Sequence, residues 1–134
     1  MRRQAVTIAR AKPSDLPTVF ELLDECNLPK EGLTQATILV ARRRERIIGS
    51  AALEYFQASA LLRSVAVNEP FRGRGVGVRL TKAALKLAKF NQVRSVYLLT
   101  ETAAEFFSKL GFKTTPRSKV PKKVQASLEF TALC

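Results

Sequence analysis

The sequence predicts an α/β domain on a mixed, mostly antiparallel sheet flanked by helices. Two observations carry this. Apolar runs of strand length and amphipathic runs of helix length succeed one another in the order β-α-β-β-β-α-β-α-β. A glycine-rich turn, Arg72-Gly73-Arg74-Gly75-Val76-Gly77, joins an apolar run at residues 61–67 to a helical pattern ending near Phe90. The length of 134 residues suits one domain, residues 1–134, and 46% apolar residues suffice for a core.

Residues 6–12 alternate and predict the first strand. Pro13-Ser14 opens a helix, with Ser14 or Asp15 as the cap. Pro17 falls in its first turn, where a missing donor costs nothing, and its apolar face is Leu16, Val19, Phe20 and Leu23. Residues 27–33 read as a loop or broken helix. Residues 37–41 and 47–55 are strands joined by the polar hairpin turn Arg43-Arg44-Glu45-Arg46, and residues 61–67 pair antiparallel with the second of them. The helix after the glycine turn puts Val76, Leu80, Ala83 and Leu87 on one stripe and Arg79, Lys82, Lys86 and Lys89 on another. A strand at 95–100, a helix at 102–110 and a strand near 112–115 follow. The tail, 120–134, is expected to hold a helical turn and a closing strand.

Composition narrows the function. Lys and Arg total 23 against 11 acids, a formal charge of +12, which attracts anions in general, while most of these side chains read as a solvated surface. No stretch has membrane-spanning length, and the N-terminus lacks the apolar core of a signal peptide, so the expectation is a soluble cytoplasmic protein with no membrane partner. The chain has no histidine, which removes Ser-His catalysis, deprives Cys26 and Cys134 of the usual activating base, and argues against a metal site. Nucleic acid is disfavoured as a partner: there is no Trp, no recognised binding motif, and the aromatics read as core residues.

Strand, glycine turn, helix is an arrangement that binds a phosphate. Glycines let the backbone turn tightly and approach the anion, and the open N–H groups and positive end of the helix face it. Arg72 and Arg74 add fork-shaped donors. The spacing is neither the Gly-x-Gly-x-x-Gly dinucleotide fingerprint nor the Gly-Lys-Ser/Thr phosphate loop. With Val65-Ala66-Val67-Asn68 ahead of it, Arg-x-x-Gly-x-Gly resembles the acetyl-CoA signature of the GNAT N-acetyltransferases. Downstream, residues 95–100 resemble that family's next strand, and Ala103-Ala104-Glu105-Phe106-Phe107-Ser108-Lys109-Leu110-Gly111-Phe112 its short helix closing on Gly-Phe.

The resemblance implies the GNAT fold, in which strands 61–67 and 95–100 splay apart and the pantetheine of acetyl-CoA, the co-substrate, fills the gap. It implies cofactor contacts at Val65, Ala66, Val67, Arg72, Gly73, Arg74, Gly75, Val76, Gly77, Val78, Thr100 and Phe107. It also implies direct transfer to an amine, without an acyl-enzyme. The developing oxyanion needs a donor, expected to be a backbone N–H near Val65 or Ala66. Glu54 is the first candidate base, with Glu101, Glu129 or a bound water as alternatives, and a rim carboxylate or partner for Arg63 as its other reading. Many relatives carry a general-acid tyrosine where this chain has Phe107, which has no proton to give. Tyr55 and Tyr97 do not match that position. Water or backbone dipoles are then left to serve the thiolate, a good leaving group.

Residues 62–67, 97–103 and 106–112, together with the tail Val120-Pro121…Ala126-Ser127-Leu128-Glu129-Phe130…Leu133-Cys134, further resemble the arsenic-resistance N-acetyltransferases of the ArsN type, related to N-acetylglutamate synthase domains. That implies a small amine acceptor of amino-acid type, with Arg63, Ser64 and Glu129 near it, and Thr100, Ser127 and the basic tail available for an anionic group. A homodimer is compatible with this. Acetylation of a protein N-terminus or lysine, and a nucleic-acid-binding protein on the same fold, are the competing readings.

Overall fold

The computed structural model describes residues 5–132, with side chains through residue 127. Period-two alternation sets the sheet. Strands β1 (Val6–Arg10), β2 (Thr37–Arg43), β3 (Arg46–Phe56), β4 (Ser59–Val67) and β5 (Ser95–Tyr97) lie side by side in chain order. The first four pair antiparallel and β5 joins β4 parallel. Both hairpins are tight, and each opens on a residue with positive φ, Arg44 at 60° and Gln57 at 59°.

Helices cover both faces. On one, Val19, Leu22 and Leu23 of α1 (Leu16–Glu25) pack on Ile38, Val40, Ile47, Ala52 and Ala66. On the other, Val76, Leu80, Ala84 and Ala88 of α2 (Val76–Phe90) pack on Leu39, Ala41, Ala51, Leu53 and Leu62, and α3 (Ala104–Lys109) adds Phe107. Neighbouring strand residues thus divide between two cores, the signature of a sheet buried on both sides. The buried face of α2 is turned from the expected stripe: Thr81, Ala84 and Ala88 are buried, while Ala83 and Leu87 are only partly so. Small residues let the helix lie close to the sheet. At Gly49 an added Cβ would sit 2.9 Å from Leu80 Cδ1 and 3.0 Å from the Ala66 carbonyl.

Of the two readings of residues 27–33 the loop holds, and only a 3-10 turn at Leu33–Gln35 precedes β2. Other expectations are corrected. Residues 112–115 form no strand, because the chain leaves α3 through Gly111 (φ 99°) and meets Pro116. The tail is helix α4 (Lys122–Ala132) rather than a closing strand. Pro121 sits just before it, the Gln125 N–H bonds the Pro121 carbonyl at 2.9 Å, and fully buried Val124 docks α4 on Leu61. Burying such a side chain contributes about 2 kcal/mol. Strand β5 also stops at Tyr97, short of the expected 100.

Asp15 does not cap α1 with its side chain. Its carboxylate turns back to the Lys12 N–H (2.8 Å) and takes the Arg42 guanidinium from β2. The Arg42 hydrogen bond, then that from Lys12, holds the carboxyl below its ordinary 3.8. A lowered folded-state value means the stabilisation is complete above the unfolded value and is lost as pH falls through the folded one. We therefore expect Asp15→Asn to cost about 1–3 kcal/mol near neutral pH, with the gap from wild type closing below about pH 4. Urea unfolding across that pH range checks both.

Candidate functional site

The pairing of β4 with β5 is short. Ser59, Ala60 and Leu61 face Ser95, Val96 and Tyr97, and there the ladder ends. From Leu62 to Val67 the far edge of β4 is without a strand partner, so the two strands part as a V.

A β-bulge shapes that free edge. Ser50 pairs with Ala66 and Ala52 with Arg63, so Ser64 and Val65 together oppose Ala51. Ser64 adopts φ 59°, uncommon for a residue with a Cβ, and its carbonyl accepts the fully buried Ser50 hydroxyl at 2.8 Å. The peptide is trans, so the Val65 N–H points opposite to that carbonyl, away from Ser50. Two residues on, Arg72 Nε donates to the Val67 carbonyl at 2.9 Å.

The glycine turn closes the V. Gly73 and Gly75 take φ 78° and 83° in open space, so conformation, not room, demands glycine there. The first intrahelical bond of α2 runs from the Arg79 N–H to the Gly75 carbonyl at 3.0 Å, leaving the N–H groups of Val76, Gly77 and Val78 ahead of it. Gly77 brings the helix against α3: a Cβ there would lie 3.4 Å from the Phe106 ring and 3.6 Å from Val67.

Together these enclose a cavity of about 410 Å³. Of the residues expected at the cofactor, Val65, Val67, Arg72, Gly73, Gly75, Val76, Gly77, Val78 and Phe107 line it. Ala66, Arg74 and Thr100 do not. Ala66 faces the α1 core, Arg74 lies within cation–π reach of Phe71, and the Thr100 hydroxyl accepts the Ala103 N–H (3.0 Å) just ahead of α3. Phe71, Ala103 and Phe106 line the cavity without having been anticipated. Only the placement of Phe71 before Arg72 and of Phe106 before Phe107 signalled them. Phe107 packs edge-on between Phe106 and Phe112 at 5.0 and 5.7 Å.

Arg63 points to the opposite face, and its donors are engaged. Nε donates to the Ser64 hydroxyl, Nη1 to Glu54 at 3.0 Å and to the Glu31 carbonyl, and Nη2 to the Pro29 carbonyl at 3.1 Å. Its side chain is 7% exposed and that of Glu54 19%. Ser127 of α4 donates to Glu54 at 3.1 Å, so one ion pair ties β3, β4, the loop before Leu33 and the tail. The Glu129 side chain lies outside the described residues, as does Cys134. Glu101 is exposed. Among the described residues no group of three metal-type side chains converges, and no helix is long and apolar enough to cross a membrane.

Comparison with known proteins gives consistent matches. The model of the acetyltransferase (GNAT) domain matches residues 34–114. An uncharacterised N-acetyltransferase of Chlorobaculum tepidum is 31% identical over 86 residues, 63% of this chain and 55% of the relative, so the chain spans about half the length of that relative. Among solved structures, a Mycobacterium tuberculosis protein in complex with CoA superposes with TM-score 0.76 at 26% identity, over 88% of this chain and 78% of that one. N-acetylglutamate synthase from Neisseria gonorrhoeae, complexed with coenzyme A and N-acetyl-glutamate, superposes with TM-score 0.82 at 20% identity, over 96% of this chain and 33% of the synthase.

Removing Arg63 leaves a part-buried carboxylate and two carbonyls without their donor. Arg63→Ala is expected to lower stability by about 3 kcal/mol and Glu54→Gln by less, since an amide still accepts from Arg63 and Ser127. Equilibrium unfolding of both variants checks the order.

Proposed function

The chain belongs to the acetyltransferase (GNAT) domain family, and from that premise we propose that it moves the acetyl group of acetyl-CoA directly to the primary amine of a small amino acid or amino-acid analogue. The observation that carries this reading is the free edge of β4, with the Val65 N–H turned from Ser50 and a cavity bounded by the start of α2.

Acetyl-CoA then lies along the V. Its pyrophosphate takes the N–H groups between Gly73 and Val78, where the helix dipole adds to them. Its pantetheine amides pair with the edge of β4 as a missing strand would. The thioester oxygen reaches the Val65 N–H, which stabilises charge as the neutral amine attacks. A C–N bond forms, the C–S bond breaks, and the amine loses a proton. Glu54 through a water, or water alone, takes that proton. Phe107 has none to give, so the departing thiolate is protonated from solvent. The cysteines have no part in transfer.

The acceptor enters from the face that carries Arg63 and Glu54. Since the donors of Arg63 are engaged by Glu54 and the loop carbonyls, this reading gives it the task of holding the acceptor side in shape. The acceptor's anionic group falls to the Ser64 hydroxyl and the tail lysines. The finer assignment, to the ArsN-type branch, is supported by the tail pattern, and Ser127 of that tail reaches Glu54. An N-acetylglutamate synthase among the similar folds agrees with an amino-acid acceptor. The same reading expects a cytoplasmic enzyme able to form a homodimer.

Calorimetry and a thiol-release assay test it together. Acetyl-CoA should bind wild type. Gly75→Val, forced into an unfavourable φ, should bind at least about tenfold more weakly, and the exposed Lys89→Ala within about twofold of wild type. Amino acids should release CoA faster than spermidine. Unchanged affinity in Gly75→Val contradicts the cofactor geometry, and polyamines outpacing every amino acid contradict the acceptor.

A further inference from the structure

Beside the cavity the structure concentrates positive charge without compensating it. Arg43 and Arg46 face each other across the β2–β3 ladder, and their guanidinium carbons lie 5.6 and 5.8 Å from the centroid of the Phe71 ring. Arg74, from the glycine turn, lies 5.9 Å from the same centroid. Each is within cation–π reach. Like charges directly opposite on a sheet are destabilising, and a third cation is added to this pair. Glu45 and Glu69 are near in sequence, yet among the described residues no carboxylate comes within 4.0 Å of the three guanidiniums, and none of the three donates a side-chain hydrogen bond. Such an arrangement suits an absent anion. A cation–π contact uses none of the guanidinium N–H donors in a conventional hydrogen bond and leaves them available to a phosphate.

Phe71 is also part of the cavity wall, so the ring on which these arginines gather borders the space assigned above to acetyl-CoA. CoA carries, besides its pyrophosphate, a phosphate monoester on the adjoining ribose. We propose that Arg43, Arg46 and Arg74, gathered on Phe71, form the site for this ribose phosphate, so that the β2–β3 hairpin selects CoA over its dephosphorylated form. The proposal rests on the cofactor reading above. It gives the hairpin arginines, which lie outside the glycine turn, a binding role, and it explains why a ladder position tolerates an Arg–Arg pair.

Calorimetry with CoA and dephospho-CoA decides it. Wild type should prefer CoA by about tenfold or more, the range of a charge-assisted phosphate contact. Arg43→Gln/Arg46→Gln should bring the two ligands to within about twofold of each other by weakening CoA alone. Arg46→Gln, at an exposed position, gives an intermediate ratio and keeps the test available should the double variant unfold. Equal affinity of wild type for both ligands overturns the inference, as does a preference that survives the substitutions, and in both cases CoA binding itself still stands. If wild type binds neither ligand, the inference and the cofactor reading fall together.

Discussion

Everything at this site depends on where β5 stops pairing with β4. Three residue pairs hold the strands together, and beyond Leu61 and Tyr97 they part. A sheet edge opened inside a domain exposes N–H and C=O groups that need partners. On the proposed reading an extended ligand with amides of its own supplies them. The Ser64–Val65 bulge, secured by the buried Ser50 hydroxyl, belongs to the same device: it turns one N–H of the edge out of the β3 ladder. The start of α2 then bounds the opening with unpaired N–H groups, and Gly77 lets that helix approach Val67 and Phe106.

The charges divide between structure and solvent. Asp15 with Arg42 and Glu54 with Arg63 are part-buried pairs: the first joins residues 27 apart, and the second, within the β3–β4 hairpin, also gathers the Pro29 and Glu31 carbonyls and Ser127. Breaking such pairs costs more than forming them contributes, so their role is to hold geometry. Most of the remaining +12 is spread over the exposed surface. The group on Phe71 is different because its arginines gather on one ring and two of them are cross-strand partners, a like-charge pairing that disfavours the hairpin.

How much of this was legible in the sequence follows from the range of the forces involved. Alternation and the helix period exposed β1 to β4, α1 and α2, and the glycine spacing located the turn proposed to hold the pyrophosphate. What eluded reading is set by tertiary contacts. Ser64 carries no glycine to announce its positive φ. Leu98-Leu99-Thr100 continue a strand-like run, yet the Thr100 hydroxyl is drawn to the Ala103 N–H just ahead of α3. The pairing of Glu54 with Arg63 was among the readings, but the other partners of Arg63 include main-chain carbonyls 32 and 34 residues away, which no local pattern reveals. In the tail, Pro121 ahead of Val124 and Leu128 at helical spacing was the available signal for a helix, and the expected strand overlooked it.

The central claim is that the open edge of β4 is the seat of the cofactor. Hydrogen exchange of the segment spanning residues 62–67, with and without acetyl-CoA, tests it most directly. If the pantetheine pairs with this edge, these amides slow on binding, while those in the β2–β3 ladder, already paired, change little. Saturating acetyl-CoA with exchange in residues 62–67 unchanged would contradict the account.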